Sequence, residues 1–142
     1  MVLPTQKSTK HKLAMYYARQ SSNYNPEAKR QEVTLTKELA VALGCRAEVA
    51  APLGFGRIDC LSKDWLIEGK YCGSTAEKNA LGQLLCYEFS LKFRGKLGLA
   101  LIGGGKLCEH TKLFCAQKGI TIFYFNEKEQ SPRWRLLYWA KL

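Results

Sequence analysis

The stretch GRIDCLSKDWLIEGKY, residues 56–71, decides the fold expected for this chain. Two short runs of apolar residues, 57–62 and 65–71, lie on either side of a polar Ser-Lys-Asp turn, which is the pattern of two strands joined in a hairpin. Just before them, a Gly-Phe-Gly turn follows another strand-like run, residues 46–51. We therefore expect three consecutive strands, paired as antiparallel hairpins.

Helical patterns flank these three strands. A helix is expected from Pro26 to about Leu43, because apolar residues recur at approximate helical spacing, and Gly44 is the expected stop. Downstream, a Ser-x-x-Glu sequence starting at Ser74 has the form of a capping box and opens a helix of about 75–93. The remaining predicted elements are a strand at 96–102, a helix at 107–118 and a strand at 120–125.

The predicted order is α-β-β-β-α-β-α-β, which describes an α/β protein with a mixed central sheet and helices on both faces. The βαβ portions should cross right-handed and pair in parallel. Residues 1–26 are expected to form a basic arm or a short helix, and residues 27–142 a single domain. The tail from Trp134 onward is expected either to add an edge strand or to pack against a partner.

Charge is the most unusual property of the composition. The 142-residue chain has 22 Lys plus Arg against 12 Asp plus Glu, a formal net charge of +10. Such an excess favours a polyanionic partner, nucleic acid first. Hydrophobic residues make up 46% of the chain, as in ordinary globular proteins, and no apolar run reaches the length of a membrane span. Because no apolar leader stands at its start, we expect a cytoplasmic protein with no membrane partner.

The six cysteines are expected to be reduced thiols. No Cys-x-x-Cys pair occurs, so the usual spacing of a zinc site is absent. Most of the cysteines lie within apolar runs, as Cys60 and Cys86 do, which is typical of small buried side chains in a cytosolic protein. We therefore expect both of these side chains to be buried and no disulfide to form.

Asp59, Glu68 and Lys70 carry the chemistry that the hairpin indicates. Glu68 and Lys70 are two positions apart, so they project from the same face of their strand. A tight hairpin would bring Asp59, on the neighbouring strand, within reach of Glu68. Two carboxylates form a hard-oxygen site of the kind that Mg²⁺ prefers. A lysine beside them can orient a water or stabilise charge while a phosphodiester is cleaved.

A further pair follows on the next predicted helix. Gln83 and Tyr87 are four residues apart and therefore share a helix face. The order Gly-x-Ile-Asp, Glu-x-Lys and Gln-x-x-x-Tyr resembles the active-site motif of the PD-(D/E)XK nuclease superfamily, which has the restriction-endonuclease-like fold. The resemblance covers roughly residues 32–125 and is greatest to small bacterial and phage members. Ile58 stands where the family name has proline.

The resemblance implies a role for each matching residue. Asp59, Glu68 and the backbone carbonyl of Gly69 would be ligands of Mg²⁺, with Mn²⁺ as an alternative ion. Lys70 would be the catalytic lysine. Gln83 would orient a carboxylate or contact a phosphate, and it is included with the catalytic residues for that reason.

The superfamily often adds a further glutamate from the first helix. Glu32 is preferred here as the additional metal ligand, because of its distance ahead of the turn after that helix. Glu38 on the same helix and Glu48 on the first strand remain alternatives. Contacts to nucleic acid are expected from a separate set of polar residues: Arg57, Lys78, Asn79 and Lys106.

These expectations converge on a Mg²⁺-dependent DNA endonuclease that hydrolyses phosphodiester bonds. Its role as a homing or mobile-element nuclease, a junction resolvase, or a restriction or repair enzyme stays open. Duplex or branched DNA is the expected partner, and a homodimer or higher homo-oligomer would allow both strands to be cut. The alternatives are a non-catalytic nucleic-acid-binding module on the same fold and an interaction protein whose charge is only a solvated face.

Overall fold

A computed structural model describes residues 26–54, 56–71, 74–102, 107–125 and 134–137 of the chain. Within these ranges the α-helices are α1 (Pro26–Leu43), α2 (Ser74–Leu91) and α3 (Glu109–Lys118), and a short 3-10 helix spans Pro52–Gly54. The strands are β1 (Arg46–Ala50), β2 (Arg57–Leu61), β3 (Trp65–Tyr71), β4 (Lys96–Ile102), β5 (Thr121–Phe125) and β6 (Trp134–Leu137). None of the described helices is both long enough and apolar enough to cross a membrane.

The described strands form one six-stranded sheet in chain order, β1 to β6. β1, β2 and β3 are antiparallel neighbours, β3, β4 and β5 are parallel, and β6 is antiparallel to β5. The α/β class and the mixed sheet are therefore confirmed. The element order differs from the expected one at its end, where the tail adds β6 to the sheet edge. The expected arm lies outside the described residues except for Pro26, which opens α1.

Apolar packing covers both faces of the sheet. Successive residues of β4 divide between two core clusters: Leu99 packs with residues of α2 and α3, and Ala100 packs with residues of α1. The first cluster contains Leu84 of α2 and Cys115 of α3, and the second contains Leu39 of α1. Helices lie on both faces, as expected, because each buries its apolar stripe against one side of the sheet.

Trp134 holds the edge strand β6 to the rest of the fold. Its ring contacts that of Phe125, with 5.9 Å between the centroids, and its indole Nε1 donates a hydrogen bond to the carbonyl of Leu35 at 3.2 Å. This one side chain therefore links β6 both to β5 and to α1. Its aromatic surface contributes to the fold rather than to an exposed stacking platform.

Glu77 has a partner that its position in the sequence did not indicate. It was expected to close a capping box with Ser74, but its carboxylate accepts a hydrogen bond from the backbone N–H of Cys108 at 3.1 Å. Cys108 is the N-cap of α3, which begins at Glu109, and its own side chain makes no capping bond. The positive end of the helix dipole favours a carboxylate at this place, although Glu77 is only 2% exposed. The bond ties the first turn of α2 to the start of α3.

We expect Glu77→Ala to lower the free energy of unfolding by about 1–3 kcal/mol, because the partly buried N–H of Cys108 loses its acceptor. Glu77→Gln keeps an acceptor oxygen and should lose less. Denaturant unfolding of both variants beside the wild type measures the difference. If Glu77→Ala is as stable as the wild type, the bond does not stabilise the fold.

The cysteines follow the sequence-based expectation only in part. Cys60 and Cys115 are buried, and burial raises the pKa of Cys115 to about 12. Cys86 is exposed, so the expectation that it is buried was wrong. The inner face of α2 is taken by other residues, Leu84 and Tyr87 among them, and this leaves Cys86 on the outer face. The described cysteines are all free thiols: Cys45, Cys60, Cys86, Cys108 and Cys115.

Alkylation of the native protein should therefore distinguish two of these thiols. Cys86 should react readily, whereas Cys60 should react only after unfolding, because burial raises the pKa of its thiol and little thiolate forms. Peptide mapping by mass spectrometry after a short treatment with iodoacetamide measures both rates. Equal labelling of the two would contradict the packing of β2 against α1.

Candidate active site

A pocket of about 300 Å³ lies between α1 and α2, beside the β2–β3 hairpin. Residues of α1, β1, β2, β3 and α2 form its wall. The lining includes five of the six residues that the sequence placed at a catalytic or metal site, Glu32, Asp59, Glu68, Lys70 and Gln83, but not the sixth, Gly69. It also includes Val33, Thr36, Lys37, Glu48, Gly56, Arg57 and Tyr87.

Asp59 and Glu68 meet where the ladder between β2 and β3 gives way to side-chain bonds. Cys60 pairs with Ile67, and at the next position along both strands the side-chain carboxylates of Asp59 and Glu68 accept the hydrogen bonds between the strands. The N–H of Asp59 donates to Glu68 Oε1 at 3.4 Å, and the N–H of Gly69 donates to Asp59 Oδ2 at 2.8 Å. Each strand thus satisfies an amide with a carboxylate from the other strand. The two acids are held side by side, as the hairpin predicted.

Burial makes both of these carboxylates hard to ionise. Glu68 is 3% exposed, and this burial, together with the nearby charge of Asp59, raises the pKa of Glu68 to about 9. Burial also raises the pKa of Asp59, against the lowering effect of the hydrogen bond from Gly69, and the charge of Glu32 raises it further. Lys70 acts in the opposite direction on both groups. Lys70 therefore offsets only part of the effect that raises the two pKa values, and Lys37 and Arg57 are further cationic side chains of the lining.

The two carboxylates fit a divalent cation. A doubly charged ion between them would favour the ionised form of both acids, against the burial that raises both pKa values. Mg²⁺ commonly takes one or two carboxylates from a protein and keeps several waters. Among the described residues, no three His, Cys, Asp or Glu side chains are placed to hold one ion together. The fit therefore rests on Asp59 and Glu68, with Glu32 acting on Asp59 through its charge.

Gly69 allows α1 to approach this pair. A Cβ at this position would lie 2.8 Å from Thr36 Oγ1 and 3.7 Å from Asp59 Oδ2, so any larger residue would push the helix away from β3. The carbonyl of Thr36 accepts a hydrogen bond from the thiol of Cys60 at 3.4 Å, which joins the same helix to β2. The close contact at Gly69 brings the polar face of α1 to the pocket.

The opposite wall of the pocket is formed by α2. Tyr87 is buried, and its hydroxyl donates to the carbonyl of Arg57 at 3.3 Å. Burial raises the pKa of Tyr87, and the charges of Glu68 and Asp59 add to this effect. Gly56 has a φ of +116°, and a Cβ there would lie 3.0 Å from the Tyr87 hydroxyl, so the turn before β2 requires glycine.

The fold places two of the three candidates for an additional acid at the pocket. Glu32 lines the pocket and is 8% exposed, and Glu48 also lines it. Glu38 does not, although it lies on the same helix as Glu32. The rotation of α1 about its axis, set by the burial of Leu35 and Leu39, decides this outcome.

Of the three expected nucleic-acid contacts that the structure describes, one lines this pocket. Arg57 lines it, whereas Lys78 and Asn79 are exposed on α2 outside the lining. Lys106 lies outside the described residues.

Sequence reasoning missed the two polar residues that α1 adds to the wall beside Glu32, namely Thr36 and Lys37. Thr36 follows Glu32 by four residues, and residues four apart share a helix face, so this spacing could have identified it. For Lys37 the sequence has no comparable signal, because an exposed lysine on a helix is ordinary.

Comparison of the chain with protein-family models, curated proteins and solved structures finds no match.

Proposed function

We propose that this protein is a divalent-metal-dependent DNA endonuclease of the PD-(D/E)XK type, acting in the cytoplasm. The observation that carries the proposal is the meeting of Asp59, Glu68 and Lys70 in one pocket, with Glu68 buried, Asp59 half-buried and the two carboxylates bonded across adjacent strands. Titratable groups that a fold perturbs in this way are concentrated at functional sites. The net charge of +10 supports a polyanionic substrate.

Each pocket residue has a defined part in the proposed reaction. Asp59 and Glu68 hold the cation, and the N–H of Gly69 keeps the Asp59 carboxylate in place. Lys70 orients the attacking water and stabilises the charge that develops on the phosphate. Gln83 is exposed at the pocket, where its amide reaches a phosphate of the substrate backbone.

The chemistry supplied by bound Mg²⁺ is stabilisation of negative charge on the phosphate and a more acidic water. The protein contributes surroundings in which Glu68 is buried and the charge of Lys70 acts on both acids. Electrostatic stabilisation is stronger in such surroundings than in water. The products are a 5′ and a 3′ fragment of the cut strand.

Incubation with supercoiled plasmid, single-stranded DNA and a branched junction, with Mg²⁺, with Mn²⁺ and with EDTA, tests the proposal. We expect cleavage that requires the metal and stops on chelation. A homodimer is proposed to cut both strands, so linear plasmid should form without a lasting nicked intermediate. Cleavage that continues in EDTA, or no cleavage of any substrate, contradicts the proposal. Metal-independent binding without cleavage would favour the non-catalytic module.

A thermal shift tests the metal site separately from activity. Mn²⁺ or Mg²⁺ should raise the melting temperature of the wild type, because an ion that binds only the folded state stabilises it. The shift should disappear in Asp59→Asn and persist in Asp64→Asn, a control in the exposed turn of the same hairpin. A metal-dependent shift of equal size in both variants would place the ion elsewhere.

A further inference from the structure

Glu48 has a backbone conformation that a strand residue rarely adopts. Its φ is +52°, yet the pairing of β1 with β2 continues on both sides, with Ala47 opposite Cys60 and Val49 opposite Ile58. The register on either side therefore aligns Glu48 with Asp59. Strain of this kind in a residue other than glycine is kept where the surrounding structure imposes it, often at functional sites.

The Glu48 carboxylate makes an ion pair across the pocket wall. Its Oε2 lies 3.7 Å from Lys37 Nζ on α1, and both residues line the pocket. The side chains are 39% and 54% exposed, so water screens the pair and its contribution to stability is small. The ion pair stabilises the fold by less free energy than the strained backbone at Glu48 costs. Stability alone therefore does not account for this arrangement.

We propose that Lys37 binds a phosphate of the nucleic-acid backbone and that Glu48 is the carboxylate which this phosphate displaces. The inference rests on the proposed function, because it places a further phosphate contact beside the cleavage site. The pocket already contains the carboxylates of Glu32, Asp59 and Glu68, so a phosphodiester entering it needs cationic contacts on the wall. Lys37 is exposed enough for a substrate to reach and is held at the wall by Glu48.

The exchange has a defined electrostatic consequence. In the free protein Glu48 neutralises Lys37, and in the complex the phosphate takes its place. Glu48 thus lowers the affinity for a phosphate backbone, because its ion pair with Lys37 must break when the phosphate binds. Removing its charge should strengthen binding, but only while Lys37 is present.

Binding is measured by fluorescence anisotropy of a labelled duplex over a series of salt concentrations, in the Asp59→Asn background so that no cleavage occurs. Lys37→Ala should weaken binding about fivefold at low salt and flatten the slope of log K against log salt by about 0.9. Glu48→Gln should strengthen binding about threefold, in proportion to one released lysine contact. In the double variant the gain from Glu48→Gln should be lost.

Glu109 and Lys112 provide the matched control. They form an exposed ion pair at 3.1 Å on α3 and do not line the pocket. Glu109→Gln makes the same change in net charge as Glu48→Gln, and Lys112→Ala the same as Lys37→Ala. The effect of each control on the affinity should be less than about half that of the pocket variant with the same charge change. Glu48→Gly removes the charge and also relieves the positive φ, so it should match Glu48→Gln in affinity while being at least as stable.

The outcomes separate this inference from the proposed function. Equal effects at the two ion pairs, or a gain from Glu48→Gln that persists without Lys37, overturn the inference alone. If the Asp59→Asn protein binds no duplex at any salt concentration, both the inference and the proposed function are wrong.

Discussion

Asp59→Asn should reduce metal-dependent DNA cleavage by at least about 10³-fold, because a cation held by one carboxylate fewer loses several kcal/mol of charge stabilisation, at about 1.4 kcal/mol for each factor of ten. The fold should be retained. An asparagine oxygen can still accept the hydrogen bond from Gly69, and loss of one charge relieves the repulsion with Glu68. The melting temperature without metal should therefore equal or exceed that of the wild type.

Single-turnover cleavage of a labelled duplex measures this effect, and circular dichroism reports on the fold. Glu68→Gln should behave in the same way, because it removes the other carboxylate of the pair. Asp64→Asn, in the exposed turn between the same two strands, should cut at the wild-type rate. A fully active Asp59→Asn or Glu68→Gln would exclude these acids as metal ligands.

Lys70→Ala should reduce cleavage by about 10²–10³-fold, the usual loss when one group that stabilises transition-state charge is removed. Metal binding should be largely kept, because both carboxylates remain. In this variant the metal-induced thermal shift should therefore persist although the cleavage rate falls. That result distinguishes a catalytic lysine from one that only balances the charge of the acids.

Lys63→Ala is the matched control for Lys70, since Lys63 is exposed in the turn of the same hairpin. It carries the same change in net charge and should leave the cleavage rate nearly unchanged. A loss of similar size in both variants would show that general attraction to DNA, and not a position beside the acids, explains the effect of Lys70.

The central motif could be predicted because its geometry is local. Alternation along β3 and a three-residue turn were enough to place Glu68 and Lys70 on one face and Asp59 beside them, and the observed bonds between the two strands agree. Exposure could not be predicted in the same way for Cys86. Its apolar neighbours in sequence do not specify which side of α2 packs on the sheet.

The sequence by itself determined the α/β class, the order of elements through β5 and the hairpin that joins the two acids, since short-range spacing and turn residues encode these features. Only the tertiary structure decided how α1 rotates and approaches β3 at Gly69, which brings Glu32 and Lys37 to the pocket and leaves Glu38 outside its lining. It likewise decided that Glu77 bonds to Cys108, a residue distant in sequence. These contacts depend on the packing of separate elements, which no local pattern specifies.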